Sequence, residues 1–409
     1  MTTKNYLFVL IIILFFGCSK EQLDLDLNAI VEPKNNINES DGLSQEYHNA
    51  VDLVNHFYDQ VNIASEIKST KISDLSLTNM ETLHLQTFNT KSAEETIIDS
   101  INIYTFDLDI DGESGFVIAS GDDRVGRVYA FVKSGALADT AHIEGMAQMV
   151  RNIPKLCKHD IEVYNSGAIT TKSTLTSFVY GPYIETRWNQ DEPYNYGSPT
   201  NGSCTNMDYY YAGCGVIAMA QTIAYYGKCS QSYDFSALTA QNHITIWSSE
   251  YLQSEVSSYI AWLGSYANIR ADYDCEGTSS KIGNCNNVLK NMGYSRHYET
   301  TNDVSDSRLY NSVKTQNVVL TRGSTASVGH MWIFDGLTGQ ANSDGSLSSI
   351  ATVHCNWGWG GSCNGWYAAY NNMYNEPSYS ASDNDPNDGA DDPGIYNFYK
   401  DNAYIYITE

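Results

Sequence analysis

The sequence predicts an α+β protein with two folded units behind a leader, on three observations. Ala50, Val51, Leu53, Val54, Phe57 and Tyr58 recur at helical spacing. Ile101 to Phe106 and Gly115 to Ser120 read as strands, with Asp111-Gly112 as the turn between them. Farther on, an apolar helix over 215–226 is followed by strand-like runs at 318–321 and 331–334. The 409 residues suffice for two or three domains, and an apolar share of 42% can build their cores. Lys and Arg number 23 against 48 Asp and Glu, a formal charge of -25, which excludes nucleic acid and anionic membrane surfaces as partners.

The leader comes first. Lys4, the apolar run Tyr6 to Phe16 and the closing Gly17-Cys18 have the length of an export signal, too short for a comfortable membrane span. The segment resembles a bacterial lipoprotein signal, in which Cys18 becomes the lipidated first residue; an ordinary secretory signal is the alternative. Either implies export: to the outer membrane as a lipoprotein, the cell surface or the periplasm, or release after processing. Contact with a membrane is then expected only through a lipid on Cys18. Residues 1–17 are the signal. Residues 18–42, rich in Asp, Glu, Asn and Gln, are an acidic tether without the apolar content for a core.

The first unit is expected over 43–170. A helix starts near Gln45, strands follow at 101–106, 115–120 and 127–132, and a helix covers 140–151. Asp107-x-Asp109-x-Asp111-Gly112 has the opening of a calcium loop, but its twelfth position is Ile118 where a glutamate is needed, so the hairpin reading prevails. Ile169-Thr170-Thr171-Lys172-Ser173-Thr174 reads as an exposed link open to proteolysis. The second unit fills 171–409.

That second unit carries the candidate chemistry. Val216, Ile217, Met219, Ala220, Ile223 and Ala224 make the 215–226 helix broadly apolar, with Gly227 as its C-cap. Cys214 then stands at the helix N-terminus, where orphan N–H groups and the positive dipole end favour a thiolate. A nearby imidazolium can bring a thiol from about 8.5 to roughly 3–4. A buried structural cysteine is the plain alternative. His330 heads the second strand of a hairpin formed with Val318 to Thr321. Asn356, in Asn356-Trp357-Gly358-Trp359-Gly360-Gly361, can accept from one imidazole nitrogen and fix the tautomer while an indole shields that bond. Gln190 can donate to an oxyanion beside the Cys214 N–H. A Cys, a His and an Asn in this chain order are the parts of a thiol protease.

With Cys18 and Cys214 set aside, Cys204 with Cys229, Cys275 with Cys285 and Cys355 with Cys363 are the nearest pairs in sequence. They are candidate bridges in an oxidising compartment, among fifteen possible connectivities. No Cys-x-x-Cys occurs, so zinc is not expected, and neither a metal nor another cofactor is assigned.

Trp188-x-Gln190, Pro193-Tyr194-Asn195, Gly213-Cys214, Gly329-His330 and Asn356-Trp357-Gly358-Trp359-Gly360-Gly361 together resemble the streptopain family of papain-like cysteine proteases. Tyr104-x-Phe106 and Gly115 to Arg124 are similar to that family's propeptide. The resemblance implies a papain-like peptidase domain over 171–409 behind a small α+β propeptide domain over 43–170. It implies Cys214 as nucleophile, His330 as proton acceptor, Gln190 in the oxyanion hole, and Asn356 and Trp357 supporting His330. Gly329 and Ser279 would contact substrate. The substrates would be proteins or peptides, with a bulky apolar residue two positions before the scissile bond, and the propeptide would be an intramolecular inhibitor. The chain departs from the family in its additional cysteines. At the family's glycine-rich loop it has instead the Asp-rich run 383–392, read as a solvated segment without the glycine and glutamate of a calcium loop. The rival reading is a protease-fold adhesin or inhibitor without turnover; a transglutaminase-like or amidase activity is a third.

Overall fold

Helical spacing from Gln45 becomes α1 (Gln45–Ala64), which lays Ala50, Val54, Phe57, Tyr58 and Val61 on an aromatic floor of Tyr104, Phe106, Phe131 and Trp366. Apart from Trp366, the floor belongs to a meander of β1 (Asp74–Phe88), β2 (Thr96–Ile110), β3 (Glu113–Ser120) and β4 (Arg127–Val132), each antiparallel to the next. Asp111 and Gly112 join β2 to β3 with φ of 56 and 83, the two left-handed residues that a tight hairpin requires. The computed structural model describes residues 44–64, 72–88, 96–141, 143–165, 175–200, 208–275, 277–300, 305–324, 329–369 and 400–408, all within one compact unit, Ser40–Glu409. The signal, the tether with Cys18, the cleavable link at 169–174, the 170/171 boundary, Cys204 and the Asp-rich run at 383–392 lie outside the described residues.

The single helix expected over 140–151 is divided. A 3-10 turn, Leu137–Ala141, precedes α2 (Glu144–Arg151), and a further helix, α3 (Ile153–Asn165), follows. Its buried residues Ile153, Leu156, Cys157 and Ile161 keep helical spacing, and Pro154 is tolerated because it falls in the first turn. Strand β5 (Thr176–Tyr180) comes next.

In the remainder, α4 (Cys214–Tyr226), α5 (Phe235–Thr239), α6 (Glu250–Gly264) and α7 (Ile282–Asn291) gather on one side, with the short hairpin β6 (Asp272–Asp274) and β7 (Gly277–Ser279) before α7. The strands are β8 (Ser295–Glu299), β9 (Val319–Ser324), β10 (Gly329–Ala341), β11 (Leu347–Asn356), β12 (Gly365–Ala368) and β13 (Lys400–Thr408), with α8 (Asp306–Lys314) between β8 and β9. One sheet runs β1-β2-β3-β4-β12-β11-β10-β9-β13-β8, and β5 pairs the far end of β10. The seam between the N-terminal meander and the C-terminal strands is Gly365↔Val132, Trp366↔Phe131 and Tyr367↔Ala130.

Strand β10 serves two cores because its side chains alternate. Met331 and Ile333 enter the core built on Val216, Ile217 and Ile223 of α4. Trp332 and Phe334 enter the opposite core with Met146, Trp357 and Tyr367. In that second core the α2 backbone lies against the Trp357 ring at Gly145, where an added Cβ would overlap Cζ3 and stand 2.8 Å from Cε3. Gly145→Val should therefore destabilise the protein by about 1–3 kcal/mol, the usual cost of overpacking, as read from a urea unfolding curve.

Candidate active site

Helix α4 is buried over nearly its whole length, and its first residue, Cys214, is only partly so. Two glycines make that placement possible. Gly213, the N-cap, has φ 93 and ψ 137, and a Cβ there would approach Thr278 O to 2.8 Å. Gly215 lies against Ser280 Oγ and the Met331 thioether, with 2.6 Å left between a Cβ and Met331 Cε. No side chain caps the helix, so the positive end of its dipole falls at Cys214. Gly227 ends α4 in the left-handed conformation, φ 66, as the sequence predicts.

Gln190 reaches the same place from a loop. Its carbonyl accepts from Ala212 N at 2.9 Å, two residues before Cys214, and its own N–H donates to Asn189 Oδ1 at 2.8 Å. The side chain is 5% exposed, and its Nε2 is a buried donor with no hydrogen-bond partner among the described residues. Such a donor is costly unless a ligand or substrate atom supplies the acceptor.

His330, 3% exposed, is the second residue of β10 and precedes Met331, the residue that touches the first turn of α4. Its ring stacks on Trp332 at 6.1 Å and 15°, and packs at 6.1 Å against Trp357. His330 Nε2 lies 3.1 Å from the Trp357 carbonyl. A carbonyl can only accept, so the proton of this bond is on Nε2, and in the neutral ring Nδ1 is left as the basic nitrogen.

The expected bond from His330 to the Asn356 amide is not the one formed. Asn356 Oδ1 accepts from Gln221 Nε2 at 3.2 Å and from Gly358 N at 3.2 Å. Its Nδ2 donates to Thr186 O at 3.0 Å. Asn356 thus stabilises the turn after β11, and the backbone of the next residue holds the imidazole. Trp357 is itself fixed: its N–H donates to Asn364 Oδ1 at 2.9 Å and its Nε1–H to Cys363 O at 3.0 Å. Sequence cannot reveal a backbone carbonyl in this role. Gln221 does leave a signal in the sequence: with Thr222 it interrupts a mostly apolar helix two turns after Cys214.

Gly329 is exposed at the start of β10, paired with Ser324. Ser279 ends β7 and lines an open pocket of about 740 Å³ with Ser280, Lys281, Tyr266 and Arg270. The segment that carries it reaches α4 through Thr278 and Ser280.

The cysteine pairs expected from proximity do not form. Cys157, Cys214, Cys229, Cys285, Cys355 and Cys363 carry thiols and form no disulfide, whereas Cys275 is disulfide-bonded. Closeness in sequence misleads because the side chains belong to different surroundings. Cys285 is sealed in the α4 core, whereas Cys363 sits in a turn against Gly135 and Ala136. Burial pushes the thiols of Cys157, Cys285 and Cys363 up to about 12, and those of Cys229 and Cys355 upward too; at Cys285 the proximity of Cys214 adds to the effect. Among the described residues no cluster of three or more His, Cys, Asp or Glu could hold a metal ion.

Residues 188–367 match the model of the Peptidase C10 family, a span that includes Gln190, Cys214, His330, Asn356 and Trp357. No curated protein matches the chain. Among solved structures, a mutant prointerpain A fragment of Prevotella intermedia is 14% identical, with a TM-score of 0.49, over 80% of this chain and 98% of that one. The active wild-type interpain A cysteine protease of Prevotella intermedia is 17% identical, with a TM-score of 0.39, over 56% of this chain and 94% of that one. The segment 188–367 is thus matched to the Peptidase C10 family, the streptopain family, and the protein is a cysteine peptidase.

Proposed function

We propose that this is an exported endopeptidase made as a zymogen, with Cys214 as nucleophile and His330 as proton carrier. The observation that carries the reading is the buried, unpartnered Gln190 Nε2 on a loop tied by its backbone to Ala212, two residues before the thiol. A donor kept dry and unused in the ground state suits an oxyanion that exists only during reaction.

The Cys214 thiolate attacks the scissile carbonyl carbon, and the carbonyl oxygen becomes an oxyanion that accepts from Gln190 Nε2 and the Cys214 N–H. His330 Nδ1–H protonates the departing amine as the C–N bond breaks, which leaves a thioester on Cys214. Water then loses a proton to Nδ1 and attacks the thioester carbon, and the C–S bond breaks to restore thiolate and imidazolium and release the new carboxylic acid, which gives its proton to solvent. Throughout, Nε2–H remains on the Trp357 carbonyl, so the ring presents one nitrogen to the chemistry.

The N-terminal part, 43–170, is the intramolecular inhibitor in this reading, removed by cleavage near 170–176. Its contacts to the C-terminal part support that role. Ser134 O accepts from Cys363 N at 2.7 Å, Asp139 Oδ2 accepts from Ser362 Oγ at 3.2 Å, and Glu113 pairs with Arg187 at 2.9 Å. Lipidation at Cys18 would hold the protein at the membrane, and a bulky apolar residue two positions before the scissile bond would be preferred. Both belong to the proposal.

Cys214→Ala expressed alone should accumulate the uncut precursor and hydrolyse no peptide; normal maturation of this variant, followed by mass spectrometry, would exclude self-processing. Gln190→Ala should lower kcat by about 10²–10³-fold with a small change in KM, the usual loss on removing an oxyanion donor. A parent-like kcat would remove Gln190 from the reaction. Iodoacetamide at pH 7 should modify Cys214 before Cys157, Cys229, Cys285, Cys355 and Cys363, whose thiols burial keeps protonated; peptide mapping that finds Cys285 or Cys355 labelled first would contradict this.

A further inference from the structure

We infer that Gln221 is a positioning residue, a neutral amide hub that holds the three catalytic segments in register. The inference rests on the proposed roles of Cys214, His330 and Gln190. Gln221 is fully buried, seven residues after Cys214 on α4, two turns along the helix. Its Oε1 accepts from Thr186 Oγ1 at 3.0 Å, Trp188 N at 3.1 Å and Asn356 Nδ2 at 3.4 Å. Its Nε2 donates to Asn356 Oδ1 at 3.2 Å. Gln221 and Asn356 therefore form a reciprocal amide pair, and its orientation is determined. The N–H groups of Trp188 and Gly358 need acceptors, which assigns oxygen to the Gln221 and Asn356 atoms facing them.

Each bond ends on a different part of the machinery. Helix α4 carries the thiol. Trp188 lies two residues before the oxyanion donor Gln190. Asn356 precedes Trp357, whose carbonyl takes His330 Nε2. One side chain thus ties nucleophile, oxyanion donor and the acceptor that orients the imidazole. A displacement of a fraction of an ångström among these groups is enough to slow acyl transfer, because proximity supplies so much of the rate. Amides suit this task better than a carboxylate or a cation. They tie three segments in a dry core without adding a charge that would disturb the thiolate–imidazolium pair.

The test uses two variants of the full chain, each assayed before and after a trace of parent enzyme cuts off the 43–170 part. Gln221→Glu keeps the volume and the acceptors but sets an oxygen against Asn356 Oδ1; Gln221→Met keeps the length and removes every bond. Expected are a fall in kcat of about tenfold or more for Gln221→Glu and a larger fall for Gln221→Met, with KM within about twofold. The rate of Cys214 alkylation by iodoacetamide should also lose its reactivity at acid pH and move toward the profile of an ordinary thiol, near 8.5. A residue that served the fold alone would lower the melting temperature and leave that profile unchanged. Parent-like kcat and alkylation profiles in either folded variant would overturn the inference, as would the failure of both variants to fold. Parent and Cys214→Ala, assayed in parallel, separate this from the wider reading, which fails if the parent cleaves no peptide or Cys214→Ala still does.

Discussion

The close approach of helix α4 to strand β10 is the contact on which the rest of the structure depends. At Gly215 the helix has no side chain, so the Met331 thioether and the Ser280 hydroxyl rest on its first turn. A Cβ there would push the helix away from the strand that begins Gly329-His330. The helix can accept so close a neighbour because nearly all its other positions are apolar and buried, each large side chain contributing about 1.5–3 kcal/mol. Gly213 completes the arrangement from the other side, since its left-handed backbone turns the chain into α4 against Thr278.

Around that contact the protein uses neutral polar groups to join its parts. Thr186, Trp188, Gln221, Asn356 and Gly358 exchange hydrogen bonds in a core that water does not reach, and among them no formal charge appears. A fully buried acidic side chain lies outside this network: Asp335 accepts from Ile184 N at 3.0 Å and lies 2.6 Å from His354 Nδ1. The contrast has a physical reason. An amide network keeps its geometry as pH changes, so the groups that titrate during turnover can do so without moving their supports.

Much of this was legible in the sequence because it is written in local patterns. The period of Val216 to Ala224 yields a buried helix, Gly227 its end, Asp111-Gly112 a hairpin, and Gly329 to Phe334 a strand. The cysteine bridges were not legible, since they depend on which core each thiol enters, and sequence proximity does not report that. Nor was the partner of His330. Asn356 has the right side chain for the task, yet the turn after β11 spends its amide on Gln221 and Thr186 and presents the carbonyl of Trp357 in its place. The sheet that joins the N-terminal meander to the C-terminal strands was also hidden, because the β4 to β12 pairing links segments more than 200 residues apart.

The same turn is where the N-terminal part, 43–170, meets the supports of the catalytic groups. Its residues are held from two directions. From the 43–170 part come the Ser134 carbonyl, the Asp139 carboxylate and the α2 backbone at Gly145. From within the C-terminal part come Asn364, Cys363 and the Gln221–Asn356 pair. Cleavage of the 43–170 part, as proposed, would remove only the first set. The second set passes directly to the carbonyl that orients His330, so the turn keeps its shape while gaining freedom on its outer side. Latency would then act on how far this turn can move, and not on whether the catalytic groups exist.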